Sequence, residues 1–147
     1  MSKPKRIFLS HTSELREFPR GNSFINAAEE AVKRAGHAIT DMKYFAARDK
    51  KPASFCEEKV KECDIYVGII GFKYGSPVKD KPDISYTQLE FQAAKNKTKL
   101  LFLLDETALI PRALSYDKEY GDRQDEFRKS LSESDLMVKT FKTPEEL

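Results

Sequence analysis

The segment Asp64-Ile-Tyr-Val-Gly-Ile-Ile-Gly-Phe-Lys-Tyr-Gly75 decides the fold of this chain. Its apolar run from Ile65 to Ile70 has the length of a strand, and the near-absence of polar residues is typical of a strand covered on both faces of a sheet. Ten residues after Gly75, the sequence Ser85-Tyr-Thr-Gln-Leu-Glu90 opens a helix that a serine can cap. Strand, glycine-containing turn and helix in this order predict an α/β unit, in which ligands bind at the carboxyl end of the strand.

The remaining sequence alternates apolar segments of strand length with amphipathic segments of helix length. The predicted strands are Arg6–Ser10, His37–Met42, Asp64–Ile70, Lys99–Leu104 and Leu136–Phe141, and the predicted helices are Asn22–Gly36, Pro52–Cys63, Ser85–Asn96 and Asp122–Ser134. This order predicts a flavodoxin-like, three-layer α/β fold with a five-stranded parallel sheet and helices on both faces. The commonest strand order for such a sheet is 2-1-3-4-5, with a switch point between strands one and three. We therefore expect a site where the loops 10–13 and 71–84 meet.

Composition narrows the class of protein. A length of 147 residues is typical of one domain, and we treat residues 1–147 as a single α/β domain. The formal net charge is only +2, so charge does not direct the chain to nucleic acid or to an anionic membrane. No apolar run approaches the roughly 20 residues that span a bilayer, and no signal-peptide core follows the N-terminus. The sequence predicts a cytoplasmic protein.

The cysteines predict neither a disulfide nor a metal site. Cys56 and Cys63 lie seven residues apart in a predicted helix, which separates them by about 10 Å, too far for a disulfide. We expect both to be reduced thiols in the core. Because His11 and His37 are the only histidines, no cysteine and histidine spacing suits zinc.

The C-terminal residues Thr143-Pro-Glu-Glu-Leu147 have the pattern of a helix start, with threonine at the N-cap, proline at the first helical position and glutamate at the third. A helix that begins where the sequence stops leads us to expect an N-terminal module of a longer polypeptide.

Glu90 is the leading candidate for chemistry. If Ser85 caps its helix, Glu90 lies in the second turn, near the positive end of the helix dipole, which favours the ionised carboxylate. Beside a cleft, such an anion can stabilise an oxocarbenium-like transition state. A solvated surface glutamate is the simpler alternative, because the chain has 24 acidic residues.

Other residues of the two loops are candidates for binding. Gly71 and Gly75 flank Tyr74 and would let backbone approach a ligand, although an ordinary strand-to-loop turn needs glycine too. The sequence lacks the Gly-Lys-Ser or Gly-Lys-Thr of a P-loop and any GxGxxG fingerprint. Ser10 and His11 end the first strand and face the same crevice, although a lone loop histidine is more often a polar filler.

Tyr44 and Phe45 lie among basic residues in the loop 43–51 after the second strand. They could stack on a base while the lysines and the arginine bind a diphosphate. A solvated loop with two aromatics against the core explains the same pattern.

These motifs together resemble a known family. The first strand RIFLSHTSE (residues 6–14) resembles the opening motif of TIR domains. ECDIYVGIIGFKYGS (62–76) and SYTQLEFQAAKNK (85–97) are similar to the third strand and following helix of the TIR-like domains of bacterial STAND-type defence proteins, the DUF4062 group. The likeness covers roughly Arg6 to Leu104.

The resemblance implies a reaction. Catalytic TIR domains cleave the nicotinamide–ribose bond of NAD+ with a glutamate on the helix after the third strand, which assigns that role to Glu90. Tyr86 and Thr87 stand where the family often has tryptophan and cysteine, and Ser10 matches a pocket-edge position. The loop 43–51 would gate the pocket and make assembly contacts. NAD+ or a related nucleotide is then a substrate, and no cofactor or metal is expected. The full set of expected substrate-binding residues is Ser10, His11, Tyr44, Phe45, Gly71, Tyr74, Gly75, Ser85 and Tyr86.

Three functions remain open. The leading hypothesis is an NAD+-consuming effector of bacterial anti-phage defence that acts as a homo-oligomer, gathered by a fused sensor and NTPase region. The second is a non-catalytic module that self-associates through TIR-like contacts. The third is a nucleoside deoxyribosyltransferase-like enzyme in which Glu90 is a covalent nucleophile. Direct nucleic-acid binding is not expected, because no basic helix or stripe is present.

Overall fold

The structure is a computed structural model that describes residues 3–42, 51–134 and 136–147. Its centre is a parallel sheet of five strands in the spatial order β2-β1-β3-β6-β7. These strands are β1 (Arg6–Ser10), β2 (Ala38–Asp41), β3 (Ile65–Ile70), β6 (Thr98–Leu104) and β7 (Val138–Phe141). The arrangement confirms the predicted three-layer α/β fold and the 2-1-3-4-5 order of the main strands.

Helices cover both faces of this sheet. They are α1 (Glu14–Glu17), α2 (Phe24–Arg34), α3 (Ala53–Lys61), α4 (Tyr86–Ala93) and α5 (Gly121–Ser132), with 3₁₀ turns at Arg112–Leu114 and Pro144–Glu146. Apolar residues of α3, α4 and α5 form one core with one face of the sheet. Residues of α1 and α2 form a second core with the other face.

Strand β3 contributes to both cores. Tyr66 and Ile70 point to the side of α3 and α4, whereas Val67 and Ile69 point to the side of α2. Side chains of a strand alternate between faces, so only a strand covered on both sides can keep all four buried. The continuous apolar pattern of this segment is thereby explained.

A small hairpin occupies part of the segment 71–84, for which the sequence predicts a loop. Strands β4 (Pro77–Val78) and β5 (Lys81–Ser85) pair antiparallel and lead directly into α4. Two prolines and several charged residues hide the strand pattern, because they are rare in strands outside edges.

The predicted helix ends are present. Ser85 caps α4, its hydroxyl oxygen accepting a hydrogen bond from the Gln88 amide at 3.1 Å. Gly36 follows α2 with φ +81°, a conformation that favours glycine. Cys56 and Cys63 are buried and form no disulfide with each other.

Along the described parts of the chain, none of the helices has the length and apolarity required to cross a membrane.

Candidate functional site

A cleft of about 600 Å³ lies at the edge of the sheet where the parallel strands end. Its volume is within the range of roughly 300–1,000 Å³ that small-molecule sites occupy. Four chain segments form its walls: the β1–α1 connection, the segment from β3 into β4, the first turn of α4, and the β6–α5 connection. The lining residues are His11, Thr12, Ser13, Glu14, Arg16, Lys73, Gly75, Ser76, Pro77, Tyr86, Thr87, Asp117, Glu119 and Tyr120.

Glu90 lies beneath this cleft. It is only 1% exposed and is absent from the cleft lining, whereas Tyr86 and Thr87 line the cleft. Residues three and four apart share one face of a helix, so Glu90 follows these two residues about 5 Å further down α4. A solvated position on the surface, the alternative raised by the sequence, is therefore wrong.

The Glu90 carboxylate is tied to the first strand. The hydroxyl of Ser10 donates a hydrogen bond of 2.8 Å to its Oε1 atom. Alternation along β1 explains this contact, because Phe8 belongs to the core on the α4 side and Ser10, two residues later, points the same way. The two elements that sequence analysis brought to one crevice, the end of β1 and the start of α4, therefore meet there.

His11 belongs to a buried polar network on one wall of the cleft. Its Nε2 atom is 2.7 Å from Oδ2 of Asp41, and its Nδ1 atom is 3.0 Å from the Thr12 carbonyl oxygen. These contacts fix the ring at the edge of the cleft.

Arg16 extends the same network. Its guanidinium donates to Asp41 at 2.5 Å and to Glu29 at 2.7 Å. Burial acts against the charge of Arg16, but these hydrogen bonds and the two carboxylates outweigh it and raise its pKa. The network fixes the β1–α1 connection against β2 and α2.

Glu14 is a second acid at the cleft. The Thr12 hydroxyl donates a 2.6 Å hydrogen bond to its Oε2 atom. Burial raises the pKa of Glu14, and the hydrogen bond from Thr12 only partly offsets this effect. It is the last residue of the RIFLSHTSE motif, so the motif itself was the available sequence signal.

Another part of the cleft lining is aromatic. Tyr120 lines the cleft, and its ring centroid lies 5.8 Å from that of Tyr74. The Arg123 guanidinium lies 5.2 Å from the centre of the Tyr120 ring. Tyr74 is buried behind this surface and its hydroxyl donates to Oε1 of Gln88 at 2.6 Å, so it supports the wall and does not form it.

Asp117 holds this wall in place. Its carboxylate accepts hydrogen bonds from the backbone amides of Tyr74, Glu119 and Tyr120 at 3.0, 3.0 and 2.8 Å. Burial alone would raise its pKa, but the amide hydrogen bonds prevail and lower it.

The two glycines of the Gly-Phe-Lys-Tyr-Gly turn differ in their position relative to the cleft. Gly75 lines the cleft with φ +86°, and a Cβ atom there would lie 2.9 Å from Cγ2 of Thr12. Gly71 is absent from the lining, and its carbonyl oxygen accepts hydrogen bonds from Gln124 at 2.7 Å and Arg128 at 3.1 Å. Only Gly75 has the predicted close approach to the cleft.

Tyr86 lines the cleft and also binds neighbouring backbone groups through its hydroxyl. Its hydroxyl donates to the Lys51 carbonyl oxygen at 2.7 Å and accepts from the Lys79 amide at 3.2 Å. It therefore anchors both the hairpin and Lys51.

The structure thus brings together most of the predicted site residues, at different depths. His11, Gly75 and Tyr86 line the cleft. Ser10, Gly71, Tyr74, Ser85 and Glu90 lie outside the lining but in the elements that form it. Tyr44 and Phe45 lie outside the described residues. The predicted site did not include Glu14, Arg16, Lys73, Asp117, Glu119 or Tyr120, although the shared edge of all strand-to-helix connections was a signal for them.

A known protein family matches nearly the whole chain. From Arg6 to the final residue, Leu147, the sequence matches the family described as a domain of unknown function, DUF4062. The chain belongs to the DUF4062 family. The match covers the last third of the chain as well as the motifs that carried the resemblance. No curated protein and no solved structure matches the sequence.

The chemistry available to this DUF4062 domain is that of carboxylates, a histidine, cations and tyrosines. Within residues 3–42, 51–134 and 136–147, no group of three or more histidine, cysteine, aspartate and glutamate side chains is arranged to hold a metal ion. The cleft presents polar and aromatic groups of the kind that line small-molecule sites, with the Glu90 carboxyl group beneath them.

Proposed function

We propose that this DUF4062 domain is a TIR-like NAD+ nucleosidase in which Glu90 is the catalytic carboxylate. The observation that carries the proposal is the hydrogen bond from Ser10 to Glu90, because it fixes a buried carboxylate at the switch point of the sheet, directly under a cleft. Such crevices are where open parallel sheets bind their ligands.

The proposed reaction is hydrolysis of the glycosidic bond between nicotinamide and ribose. The C–N bond breaks, its electron pair leaves with neutral nicotinamide, and a positive charge develops on the ribosyl group. The Glu90 carboxylate stabilises this charge from below. Water then adds to the ribosyl carbon and loses a proton, which gives ADP-ribose.

The depth of Glu90 has a consequence for activity. The carboxylate lies one helical turn below residues that line the cleft, so contact with the ribose requires the first turn of α4 to separate from the β1–α1 connection. We propose that assembly of several copies, driven by a fused sensor and NTPase region, supplies this opening. Tyr120 and Tyr86 then offer faces for the bases, and Lys73 offers a cation for the diphosphate. Tyr44 and Phe45 remain predicted to stack on the bases. We assign the assembled module to anti-phage defence in the bacterial cytoplasm.

Nicotinamide release from NAD+ tests the proposal. The protein would be oligomerised by fusion, and wild type would be compared with Glu90→Gln, which keeps the shape of the side chain and removes its charge. We expect the rate to fall by about 10²–10³-fold, as for other preorganised groups that stabilise a transition state. Glu126→Gln, an exposed glutamate of α5, is the matched control and should keep full activity. Equal turnover by wild type and Glu90→Gln would defeat the assignment.

One observation favours a second candidate, the non-catalytic self-association module. Glu90 is 1% exposed and bonded inside the protein, as a purely structural carboxylate would be. This candidate predicts concentration-dependent assembly in both wild type and Glu90→Gln, with no loss of NAD+ in either. A sugar adduct on Glu90, detected by intact-mass spectrometry after incubation with a deoxynucleoside, would instead identify a deoxyribosyltransferase-like enzyme.

A further inference from the structure

Tyr66 carries a buried hydroxyl group with no hydrogen-bond partner in the described part of the chain. The residue is 1% exposed, so water does not satisfy the hydroxyl from outside. Buried polar groups in native proteins nearly always have a partner, and an unpaired one lowers the stability of the fold. The Tyr66 hydroxyl is therefore an exception within this core.

The backbone geometry directs this hydroxyl to the Glu90 site. A Cβ atom built on Gly68 would lie 3.0 Å from both Cε1 and the hydroxyl oxygen of Tyr66, so the tyrosine ring extends over Gly68. In the sheet, Gly68 is the register partner of Ser10. The hydroxyl of Tyr66 therefore ends beside the serine that donates to Glu90.

The ring of Tyr66 has little freedom to leave this position. Phe8, its register partner on β1, stacks on it with centroids 6.3 Å apart. Phe91 of α4 packs edge-on against it at 6.0 Å. Glycine at position 68 is what lets the ring lie flat between these neighbours.

The hydroxyl is also held in its donor form. Burial raises the pKa of Tyr66, the nearby Ser10 hydroxyl acts in the opposite direction, and the Glu90 carboxylate raises it further. Tyr66 thus keeps its proton at neutral pH and has one hydrogen to donate.

We propose that Tyr66 is a positioning residue whose hydroxyl donates to the Glu90 carboxylate when that carboxylate leaves Ser10 and faces the substrate. This inference rests on the proposed function, and neither the sequence motifs nor the resemblance assigns a role to Tyr66. Catalytic hydrogen bonds are often long or misaligned without substrate and tighten in the reacting complex. A donor that is rigid and unpaired at rest can then replace the contact that Ser10 loses as Glu90 moves towards the cleft.

Tyr66→Phe tests this role, because it removes the hydroxyl and keeps the ring. Since the lost hydroxyl has no partner at rest, we expect the Tm to be unchanged or to rise by about 3 °C. In oligomerised protein we expect kcat for NAD+ to fall by about 10- to 100-fold, the range found for residues that orient a ligating or reacting group, with KM within twofold of wild type. The acidic limb of the pH–rate profile should move to higher pH, because a carboxylate with fewer donors is protonated more readily.

A spectroscopic measurement tests, without relying on activity, whether the Tyr66 hydroxyl lies beside Glu90, as the inference requires. In protein labelled with ¹³C at the tyrosine ζ-carbon, the Tyr66 signal should shift between wild type and Glu90→Gln, while the signal of the exposed Tyr116 should not. An unchanged Tyr66 signal would overturn the inference.

The outcomes separate the two proposals. An unchanged kcat and pH profile in Tyr66→Phe would show that the hydroxyl is only packed, and a fall in Tm of several degrees would show that it is already bonded at rest; either result overturns the inference. If wild type does not release nicotinamide at all, the proposed function fails, and the ¹³C signal then decides separately whether the Tyr66 hydroxyl lies beside Glu90.

Discussion

Ser10 donates a 2.8 Å hydrogen bond to Glu90 although the two residues lie 80 positions apart in the sequence. Both side chains are almost completely buried, with exposures of 0% and 1%. A carboxylate in such surroundings loses its hydration and depends on protein donors for compensation. This bond therefore joins the first strand to the helix after the third strand, and it does so beneath the cleft.

Removal of the Ser10 hydroxyl should destabilise the fold measurably. We expect Ser10→Ala to lower the free energy of unfolding by about 1.5–3 kcal/mol, the usual range for a hydrogen bond to a charged group. Urea denaturation at pH 7 measures the difference. Ser115→Ala removes an exposed hydroxyl that donates to the Arg112 carbonyl oxygen, and this control should cost less than about 0.5 kcal/mol.

The double variant Ser10→Ala with Glu90→Gln tests whether the loss of stability in Ser10→Ala comes from the hydrogen bond to Glu90. Residues in contact show non-additive effects of at least about 0.5 kcal/mol, so the double variant should lose less stability than the sum of the two single variants. Strict additivity would mean that the serine stabilises the fold through other contacts.

Gly75→Ala should test how closely the backbone approaches the β1–α1 connection. The positive φ of Gly75 by itself costs an alanine about 1–2 kcal/mol. The added Cβ would also lie 2.9 Å from Cγ2 of Thr12, and overpacking of this kind typically costs a further 1–3 kcal/mol or so. We therefore expect a total loss of about 2–5 kcal/mol, measured by urea denaturation.

Two comparisons divide that loss into its parts. Gly36→Ala has a similar φ of +81° with nothing within 4 Å of the new Cβ, so it should show the backbone cost alone. In Gly75→Ala, the second change Thr12→Ser removes the crowded methyl group and keeps the hydroxyl, so it should restore part of the stability. No recovery in this double variant would argue against the close contact.

The sheet and the place of Glu90 in helix α4 could be predicted from the sequence. The apolar run of β3 has only one environment that buries every side chain, and the order of strands and helices then leaves few topologies. Ser85 marks the start of α4, which fixes Glu90 in its second turn. Strands β1 and β3 are neighbours in the predicted sheet, and α4 follows β3 in the chain. The proximity of the end of β1 and the start of α4 was therefore predictable too.

The depth of the site was not predictable in the same way. Helix spacing shows that Tyr86 and Glu90 share a face, but which of them lines the cleft depends on how far α4 extends above the sheet edge. The connection between β6 and α5 has no periodic pattern, so nothing in the sequence selected Asp117 or Tyr120. In the sequence, Gly68 is only a glycine within an apolar strand. The structure shows that the absence of a side chain there makes room for the ring of Tyr66.

Glu14→Gln should change the pH dependence of stability. Because the pKa of Glu14 is raised in the folded protein, the folded state holds a proton that the unfolded state has lost above about pH 4.5. The stability that this proton contributes is present at lower pH and is lost as the pH rises through the folded pKa. We therefore expect the variant to have nearly wild-type stability at pH 4 and to exceed it at pH 8 by up to about 1 kcal/mol.

Urea denaturation at both pH values measures this difference for Glu14→Gln. Glu17→Gln is a matched control, since it removes one carboxylate from an exposed position of the same short helix. If Glu14→Gln is less stable than wild type at pH 8, the buried carboxylate is stabilised by its contacts and the expected sign is wrong.

Asp117→Asn should show the opposite pH dependence. The pKa of Asp117 is lowered in the folded protein, because three backbone amides donate to the carboxylate and outweigh its partial burial. Its stabilising effect is therefore complete above pH 3.8, the ordinary value, and is lost as the pH falls through the folded pKa. An asparagine has one acceptor oxygen in place of two and no charge, so we expect a loss of about 1–2 kcal/mol at pH 7 that shrinks below pH 3.

The effect of Asp117→Asn should also reach the cleft. The amide of Tyr74 is one of the three donors, so a weaker anchor frees the turn that carries Gly75 and the surface formed by Tyr120. Hydrogen exchange should therefore be faster at the amides of Tyr74, Glu119 and Tyr120 in the variant than in wild type, with the rest of the sheet unchanged. Asp125→Asn, at an exposed position of α5, should alter neither the stability nor these three amides. Uniformly faster exchange across the sheet would mean that Asp117 stabilises the whole fold and does not specifically hold the wall of the cleft.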